Sequence, residues 1–120
     1  MNASLMAQAA YAADAAPIRT PRATEYEVFA KATTALRRAS NAVERARAIA
    51  DNRALWTLLA TEVADPRNPL PRTLRARIFY LSEFVTHESR RVLRGDSDTA
   101  ALVDVNAAIM SGLNQKAPDA

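Results

Sequence analysis

The sequence predicts an all-α protein, a compact bundle of about four helices with an Ala-rich N-terminal segment. Ala accounts for 27 of the 120 residues and Gly for only two. Ala favours helix strongly, and the chain has no run of the β-branched residues that favour strands. Large apolar residues instead recur at spacings of three and four, the period of a helix with one buried face.

The charge is basic but mixed in sign. The net charge is +3 and the pI is near 9.8, with 14 Arg and two Lys against 13 acidic residues. A basic chain belongs to a class that includes nucleic-acid-binding proteins. Interspersed charges of both signs are, however, typical of a solvated helical surface. The composition therefore does not favour direct nucleic acid binding.

Cysteine usage and hydropathy bear on the compartment. The chain has no Cys, which excludes disulfides, thiol catalysis and Cys-ligated metal, and which fits a reducing compartment. The first residues lack the basic and apolar regions of a signal peptide. No apolar run approaches the roughly 18 residues needed to span a membrane. We therefore expect a soluble, cytoplasmic protein with no membrane partner.

Three regions are expected along the chain. Residues 1–19 form an Ala-rich N-terminal segment, 20–114 a helical bundle domain and 115–120 a disordered tail. The N-terminal segment contains few large apolar groups to bury, namely Leu5, Met6 and Tyr11, so a helix there is marginal in isolation. Two interpretations remain open: a frayed tail, or a helix that folds onto a partner through Leu5 and Tyr11.

Two helices are predicted in the first half of the bundle. Thr20 and Pro21 suit the N-cap and first helical position of the first, with an apolar stripe formed by Phe29, Ala32, Leu36, Ala39 and Val43. Ser40 and Asn41 prefer caps and turns, so the helix either breaks there or runs on. The second covers roughly Ala42 to Ala64, and its stripe is Ile49, Asn52, Trp56, Leu59 and Val63.

Asn52 is a polar residue on that apolar stripe. A buried Asn needs hydrogen-bond partners. In one interpretation Asn52 is satisfied locally, or lies at a helix boundary with Asp51 as its cap. In the other it pins the register of helix packing or contacts the backbone of a partner.

A rigid loop follows over Asp65–Pro71, where three Pro in six residues exclude helix. Leu70 is the expected anchor of this loop in the core. The short connection should return the third helix antiparallel to the second.

The third helix is expected from Pro71 to Arg94 and the fourth from Thr99 to about Asn114. The stripe of the third comprises Leu74, Ile78, Leu81, Val85 and Val92, flanked by Phe84. Phe79 and Tyr80 point elsewhere, so this helix is either central or exposes an aromatic patch. Gly95 suits the position after a helix end, and Ser97 or Asp98 suits the next N-cap. The fourth stripe is Leu102, Val105, Ile109 and Leu113, with Asn106 beside it.

No catalytic arrangement is recognisable. His87 is the only His, and a metal site usually needs three or four ligands. A nucleophile needs a base and an orienting group, and no Gly-rich phosphate loop is present. The sequence predicts no enzyme activity and no cofactor. The apolar excess of the last three helices either packs internally or forms a groove for an amphipathic partner helix.

Five segments in order resemble the FlaF family of flagellar biosynthesis regulators. Asn52-Arg53-Ala54-Leu55-Trp56 resembles its Asn-Arg-x-Leu-Trp motif, and Asp65–Pro71 its Asp-Pro-x-Asn-x-Leu-Pro motif. The resemblance covers about residues 11 to 113. Its other segments are Ala23–Phe29, Leu74–Ala76 (which continues the loop motif), Val92–Gly95 and Leu102–Leu113.

The resemblance implies a small cytoplasmic helical protein, without enzyme activity or cofactor, needed for flagellin production. Members look like flagellin-binding export chaperones and are similar to regulators that act with the partner FlbT. We therefore expect a regulator of flagellum biogenesis that binds flagellin as a secretion chaperone or adaptor. The alternative is post-transcriptional regulation of flagellin messenger RNA, directly or through FlbT. The expected partner contacts are Leu5, Tyr11, Asn52, Trp56, Tyr80, Phe84 and Asn106.

Overall fold

Helices make up most of the chain between residues 21 and 114. The computed structural model describes the backbone of residues 21–114 and the side chains of residues 25–112. It contains α1 (Pro21–Arg38), α2 (Ala42–Ala64), α3 (Arg72–Leu93) and α4 (Ala100–Asn114), and no strand in this range. The prediction of an all-α bundle is confirmed. The predicted N-terminal segment, 1–19, and the predicted tail, 115–120, lie outside the described residues.

The break between α1 and α2 follows from local capping. Asn41 has an extended backbone (φ −144°, ψ 172°), and its side chain accepts a hydrogen bond from the Glu44 N–H at 2.8 Å. The Glu44 carboxylate accepts from the backbone N–H and the hydroxyl of Ser40, each at 2.9 Å. These bonds from Ser40 lower the pKa of Glu44. The reciprocal bonds resemble a capping box, and they end α1 instead of letting it run on.

The turn from α3 to α4 is also specified locally. Gly95 has φ +82°, and its N–H donates to the Val92 carbonyl at 3.0 Å. The Asp96 N–H donates to the Arg91 carbonyl at 2.9 Å, which completes a Schellman motif. The predicted role of Gly95 is thus confirmed. The Asp98 carboxylate, an expected cap, accepts from the Ala100 N–H at 2.9 Å where α4 begins.

The helices pack as two closely associated pairs. α1 packs mainly on α4 and α2 mainly on α3, with smaller interfaces between α1 and α2 and, smallest, between α3 and α4. Thr33 bonds Asn106 while the Leu36 carbonyl accepts from Thr99, so α1 and α4 run antiparallel. The short loops make α2 antiparallel to α3 and α3 to α4. The start of α1 therefore lies at the same end of the bundle as the end of α4 and the start of α3.

A single apolar core lies between the helices. No helix in residues 21–114 is long and apolar enough to cross a membrane. Trp56 and Leu59 are in the core, as predicted. The other buried apolar residues are Phe29, Leu36, Ala48, Ile49, Val63, Ile78, Val85, Val92 and Leu102.

Three predicted core positions are wrong. Val43 is 73% exposed, because the chain breaks at Asn41 and the stripe of α1 does not continue into α2. Leu70 is exposed, since polar bonds hold its loop and its side chain is not needed as an anchor. Leu74 is 40% exposed, although its spacing from Ile78 and Val85 directs it toward the core.

Candidate functional site

A set of hydrogen bonds joins three helices inside the bundle. Nε1 of Trp56 donates to Oδ1 of Asn106 at 2.8 Å. Nδ2 of Asn106 donates to Oδ1 of Asn52 at 2.8 Å and to Oγ1 of Thr33 at 3.0 Å. The Thr33 hydroxyl donates to the Phe29 carbonyl at 2.7 Å. We refer to the side chains of Thr33, Asn52, Trp56 and Asn106 as the core network.

The core network specifies how the helices are aligned. All four side chains are buried. The rings of Trp56 and Phe29 form a T-shaped contact, with centroids 5.6 Å apart and planes at 81°. Asn52 and Trp56 are four residues apart and therefore share one face of α2. A shift of one residue turns a helix face by about 100°, which would break these bonds and leave buried polar groups unpaired.

The two amides of the network are used unequally. Asn106 uses both N–H donors and its carbonyl oxygen, so its side chain is well satisfied. Nδ2 of Asn52 has no hydrogen-bond partner in the described part of the chain. Turning the Asn52 amide over would only set two N–H groups against each other. Asn106 is thus the hub of the core network, the residue that bonds the three others, and Asn52 accepts one of its hydrogen bonds.

This geometry decides between the two interpretations of Asn52. The residue lies well inside α2 and bonds a different helix, so local satisfaction or a helix boundary is wrong and the register interpretation is supported. Asn52 and Asn106 have 0% exposure and Trp56 is also buried. These three expected partner contacts are therefore not accessible at the surface of the described fold, and their contact with a partner stays a prediction. Two further expected contacts, Leu5 and Tyr11 of the N-terminal segment, lie outside the described residues.

Thr33 belongs to the core network but was not predicted to be on the buried face of α1. The predicted stripe contained its neighbour Ala32 instead. The available signal was spacing, because Thr33 lies four residues after Phe29 and three before Leu36, both of which are buried. A Thr hydroxyl inside a helix often bonds the carbonyl four residues back, as it does here.

The Pro-rich loop is held by its own polar side chains. The Asp65 carboxylate accepts from the Arg67 backbone N–H at 2.9 Å and from its guanidinium at 3.0 and 3.1 Å. These side-chain and backbone bonds from Arg67, with its charge, lower the pKa of Asp65 to about 2. Nδ2 of Asn68 donates to the Glu62 carbonyl at 3.1 Å, while its Oδ1 accepts from the Leu70 N–H at 3.0 Å. Local bonding thus accounts for the polar residues of the loop tip.

A buried carboxylate lies where α3 turns into α4. Glu88 is buried and accepts from Nη1 of Arg91 at 3.1 Å and from the hydroxyl of Ser97. Arg91 also donates to the Asp96 carbonyl at 3.3 Å. A buried carboxylate requires such partners. The sequence pattern does not predict this cluster, because Glu88 falls among charged residues that look like a solvated helix end.

The exposed aromatic residues lie on two flanks of α3. Tyr80 is 71% exposed and Phe84, four residues later, is half-buried on the same flank. Phe79 is 43% exposed on the other flank, which faces α2. Of the two predicted environments for α3, exposure of aromatic side chains is therefore confirmed, but they lie on two flanks and do not form one patch. Among the predicted partner contacts that lie in the described residues, Tyr80 and Phe84 are the two that a partner can reach from outside.

An open groove of about 690 Å³ separates α2 from α3 on the Phe79 flank. Its surface is mixed in polarity, and His87 lies at one wall. Within residues 25–112 no group of three or more His, Asp or Glu residues could hold a metal ion. The lining residues are Thr57, Ala60, Thr61, Ala64, Phe79, Ser82, Glu83, Thr86, His87 and Arg90.

Three arginines in or next to α3 are engaged in contacts within the chain. Nε of Arg75 donates to the Val63 carbonyl at 3.0 Å and ties α3 to the end of α2. Arg91 bonds Glu88, and Nε of Arg94 bonds Asp96 at 3.2 Å. Much of the local Arg density thus serves helix ends and turns, as expected from the dipole of α3.

These features define a small helical protein whose core contains a buried hydrogen-bond network and whose third helix exposes aromatic side chains. The family model described as flagellar protein FlaF matches residues 7–113. The chain belongs to the FlaF family of flagellar proteins. A search of curated proteins found no match, and none was found among solved structures.

Proposed function

We propose that this protein acts in flagellum biogenesis by binding flagellin in the cytoplasm, as a secretion chaperone or adaptor that promotes flagellin synthesis and export. Membership of a flagellar family supports a role in flagellum biogenesis. The observation that carries the binding role is the pair formed by Tyr80 and Phe84, of which Tyr80 is 71% exposed. Exposed aromatic residues are enriched among those that dominate protein interfaces.

The proposed mode of binding is a helix laid against α3. The terminal segments of flagellin are amphipathic helices that assemble with one another, so a chaperone must cover their apolar faces. A rigid bundle can present a flank to such a helix at low entropic cost. The core network supports this role because it holds α1, α2 and α4 in one alignment behind α3.

The test is co-purification of the full chain with flagellin, using a matched pair of Tyr variants. Tyr80→Ser should weaken binding at least tenfold, whereas Tyr26→Ser, at another exposed Tyr on α1, should leave it unchanged. Both variants should retain the unfolding midpoint of the parent. Separate elution of parent and flagellin at micromolar concentrations would contradict the proposal, and equal loss in both variants would move the contact away from α3.

A second candidate function is regulation of flagellin messenger RNA, directly or through FlbT. The excess of Arg motivates it. Direct binding predicts an affinity that falls steeply with salt, because phosphate contacts release counterions. The engagement of Arg75, Arg91 and Arg94 within the chain favours the FlbT-mediated version. Absence of RNA binding even at low salt, together with capture of FlbT, would select that version.

A further inference from the structure

The fold brings four helix termini together at one end of the bundle. The termini are the end of α1 at Arg38, the start of α2 at Ala42, the end of α3 at Leu93 and the start of α4 at Ala100. Short loops join α1 to α2 and α3 to α4, and the Thr99 hydroxyl donates to the Leu36 carbonyl at 3.4 Å between the two loops. We refer to residues 37–47 and 88–98 as the basic end.

The positive charge of the described chain is concentrated at the basic end. Seven Arg and four acidic residues lie there, a net charge of +3. The rest of residues 25–112 carries six cations and seven anions, a net charge of −1. Charges of both signs alternate along the sequence, so it is the folding of the chain that separates the basic end from the rest.

Five of the seven arginines at the basic end are not used inside the fold. Arg91 and Arg94 bond Glu88 and Asp96. The other five make no hydrogen bond or ion pair within residues 25–112. Four of them are exposed and Arg45 is half-buried. These five are Arg37, Arg38, Arg45, Arg47 and Arg90.

The helix dipole accounts for only part of this cluster. Arg37, Arg38 and Arg90 lie in the last turns of α1 and α3, where a cation is stabilised. Arg45 and Arg47 lie in the first two turns of α2, where the dipole gives a cation no stabilisation. Local helix chemistry therefore leaves these two arginines unexplained.

Exposed apolar side chains accompany the arginines. Val43 is 73% exposed and Leu93 is 49% exposed. Val43 lies four residues before Arg47, and Leu93 three residues after Arg90, so each apolar group has an Arg neighbour on its helix surface. Apolar groups bordered by Arg are typical of protein–protein interfaces. Leu93 lies about 20 Å along α3 from Tyr80, so the basic end is separate from the flank proposed to bind flagellin.

We propose that the basic end binds an acidic segment of a partner protein, in which carboxylates surround an apolar side chain. Guanidinium groups match carboxylates in charge and in geometry. The apolar side chain of the segment would cover Val43 or Leu93. This interface does not depend on the proposed binding of flagellin.

The composition of the basic end favours a protein over a phosphate surface. Asp96 and Asp98 are exposed there, and they would repel the closely spaced phosphates of a nucleic acid or an anionic membrane. A protein segment can place its carboxylates beside the arginines and away from these two residues. Phosphates would also leave Val43 and Leu93 without an apolar contact, whereas a protein segment supplies one.

The proposal is tested by fluorescence anisotropy with the full chain and a labelled peptide in which Glu residues flank a central Leu. The matched control peptide carries Gln in place of each Glu. The Glu peptide should bind at least tenfold more tightly at low ionic strength. Its affinity should fall as salt is added, because screening weakens interactions between exposed charges. Equal affinity for the two peptides, or binding of neither, would overturn the proposal.

Two matched variants locate the binding site. Arg47→Glu lies at the basic end and Arg72→Glu at the start of α3, at the opposite end of the bundle; both positions are exposed. Both variants change the net charge equally and place an anion near a helix start, so they should retain the unfolding midpoint of the parent. Arg47→Glu should weaken binding of the Glu peptide about tenfold, because repulsion replaces attraction, and Arg72→Glu should leave it unchanged. Equal loss in both variants would reduce the effect to net charge and overturn the proposal.

A third variant tests the apolar part of the interface. Val43→Ser should weaken binding of the Glu peptide several-fold, and should not affect a peptide in which Ser replaces the central Leu. Equal effects on both peptides would remove the argument for a protein partner. Tighter binding of single-stranded RNA, or of vesicles containing phosphatidylglycerol, with the same loss in Arg47→Glu, would assign the basic end to phosphate groups and overturn the proposal.

Discussion

The indole N–H of Trp56 donates to the side-chain oxygen of Asn106 at 2.8 Å, across 50 positions of sequence. The two residues belong to α2 and α4, whose Cα atoms nowhere approach within 8 Å in the described residues. The bond therefore links helices that are not backbone neighbours. Because Asn106 also bonds Thr33 and Asn52, one amide coordinates three helices.

Replacing the hub of this network should be strongly destabilising. Asn106→Ala leaves polar groups of Trp56, Asn52 and Thr33 without their partner, and each buried orphan costs roughly 1–3 kcal/mol. We expect the free energy of unfolding, measured by urea denaturation, to fall by about 3–5 kcal/mol. Asp104→Ala, at an exposed position of the same helix, should change it by under about 0.5 kcal/mol. Similar effects for both variants would show that the network contributes little.

Two variants of Trp56 separate its hydrogen bond from its volume. Trp56→Phe keeps a ring and loses the N–H, so it should cost about 1–3 kcal/mol. Trp56→Ala also removes a buried ring beside Phe29 and should cost about 3–5 kcal/mol. The effects of Trp56→Phe and Asn106→Ala should be less than additive, since they break the same bond. A cost well below about 1 kcal/mol for Trp56→Ala, with flagellin binding lost, would instead make Trp56 an exposed anchor.

The loop between α2 and α3 should respond to acid. The pKa of Asp65 is lowered from 3.8 to about 2 by its bonds to Arg67. Because the folded value is below the ordinary one, the stabilisation is present above pH 3.8 and is lost as the pH falls through about 2. NMR titration of the carboxyl carbon should show that midpoint. Arg67→Ala should raise it toward 3.8, and Arg77→Ala should not; an unchanged midpoint in Arg67→Ala would refute the assigned cause.

The two glycines should respond to Ala in opposite directions. Gly95 has φ +82°, a conformation that costs a residue with a Cβ about 1–2 kcal/mol, so Gly95→Ala should lower stability by that amount. Gly112 lies in α4 with open space where a Cβ would be added. Gly112→Ala should stabilise by about 0.5–1 kcal/mol, because Ala is the better helix former. Thermal unfolding of the pair provides the comparison, and equal signs would argue against the Schellman turn at Gly95.

The helix boundaries could be predicted from the sequence because short-range chemistry decides them. Asn41 caps α2 with its own side chain, Pro71 precedes α3 and Gly95 ends it. Each of these signals acts within a few residues. The predicted core positions that failed, Val43 and Leu74 among them, depend instead on which part of each apolar stripe the neighbouring helices cover.

The candidate site was only partly predictable. Tyr80 is reachable, which is one of the two environments that the sequence left open for α3. Asn52 and Asn106 stand out in the sequence as polar residues on apolar faces, yet the sequence could not show that they bond each other. Thr33 and Glu88 were not predicted, because a hydroxyl or a carboxylate becomes a buried partner only when a distant helix or turn supplies the other half.

The sequence by itself determined the all-α class, the ends of the later helices, the stiff loop and membership of the FlaF family, since periodicity, caps and motifs are read along the chain. The tertiary structure alone decided that Trp56 meets Asn106 and that Tyr80 stays outside. The physical reason is that a buried hydrogen bond needs two partners placed within about 3 Å. When those partners are far apart in sequence, only the packing of the helices brings them together.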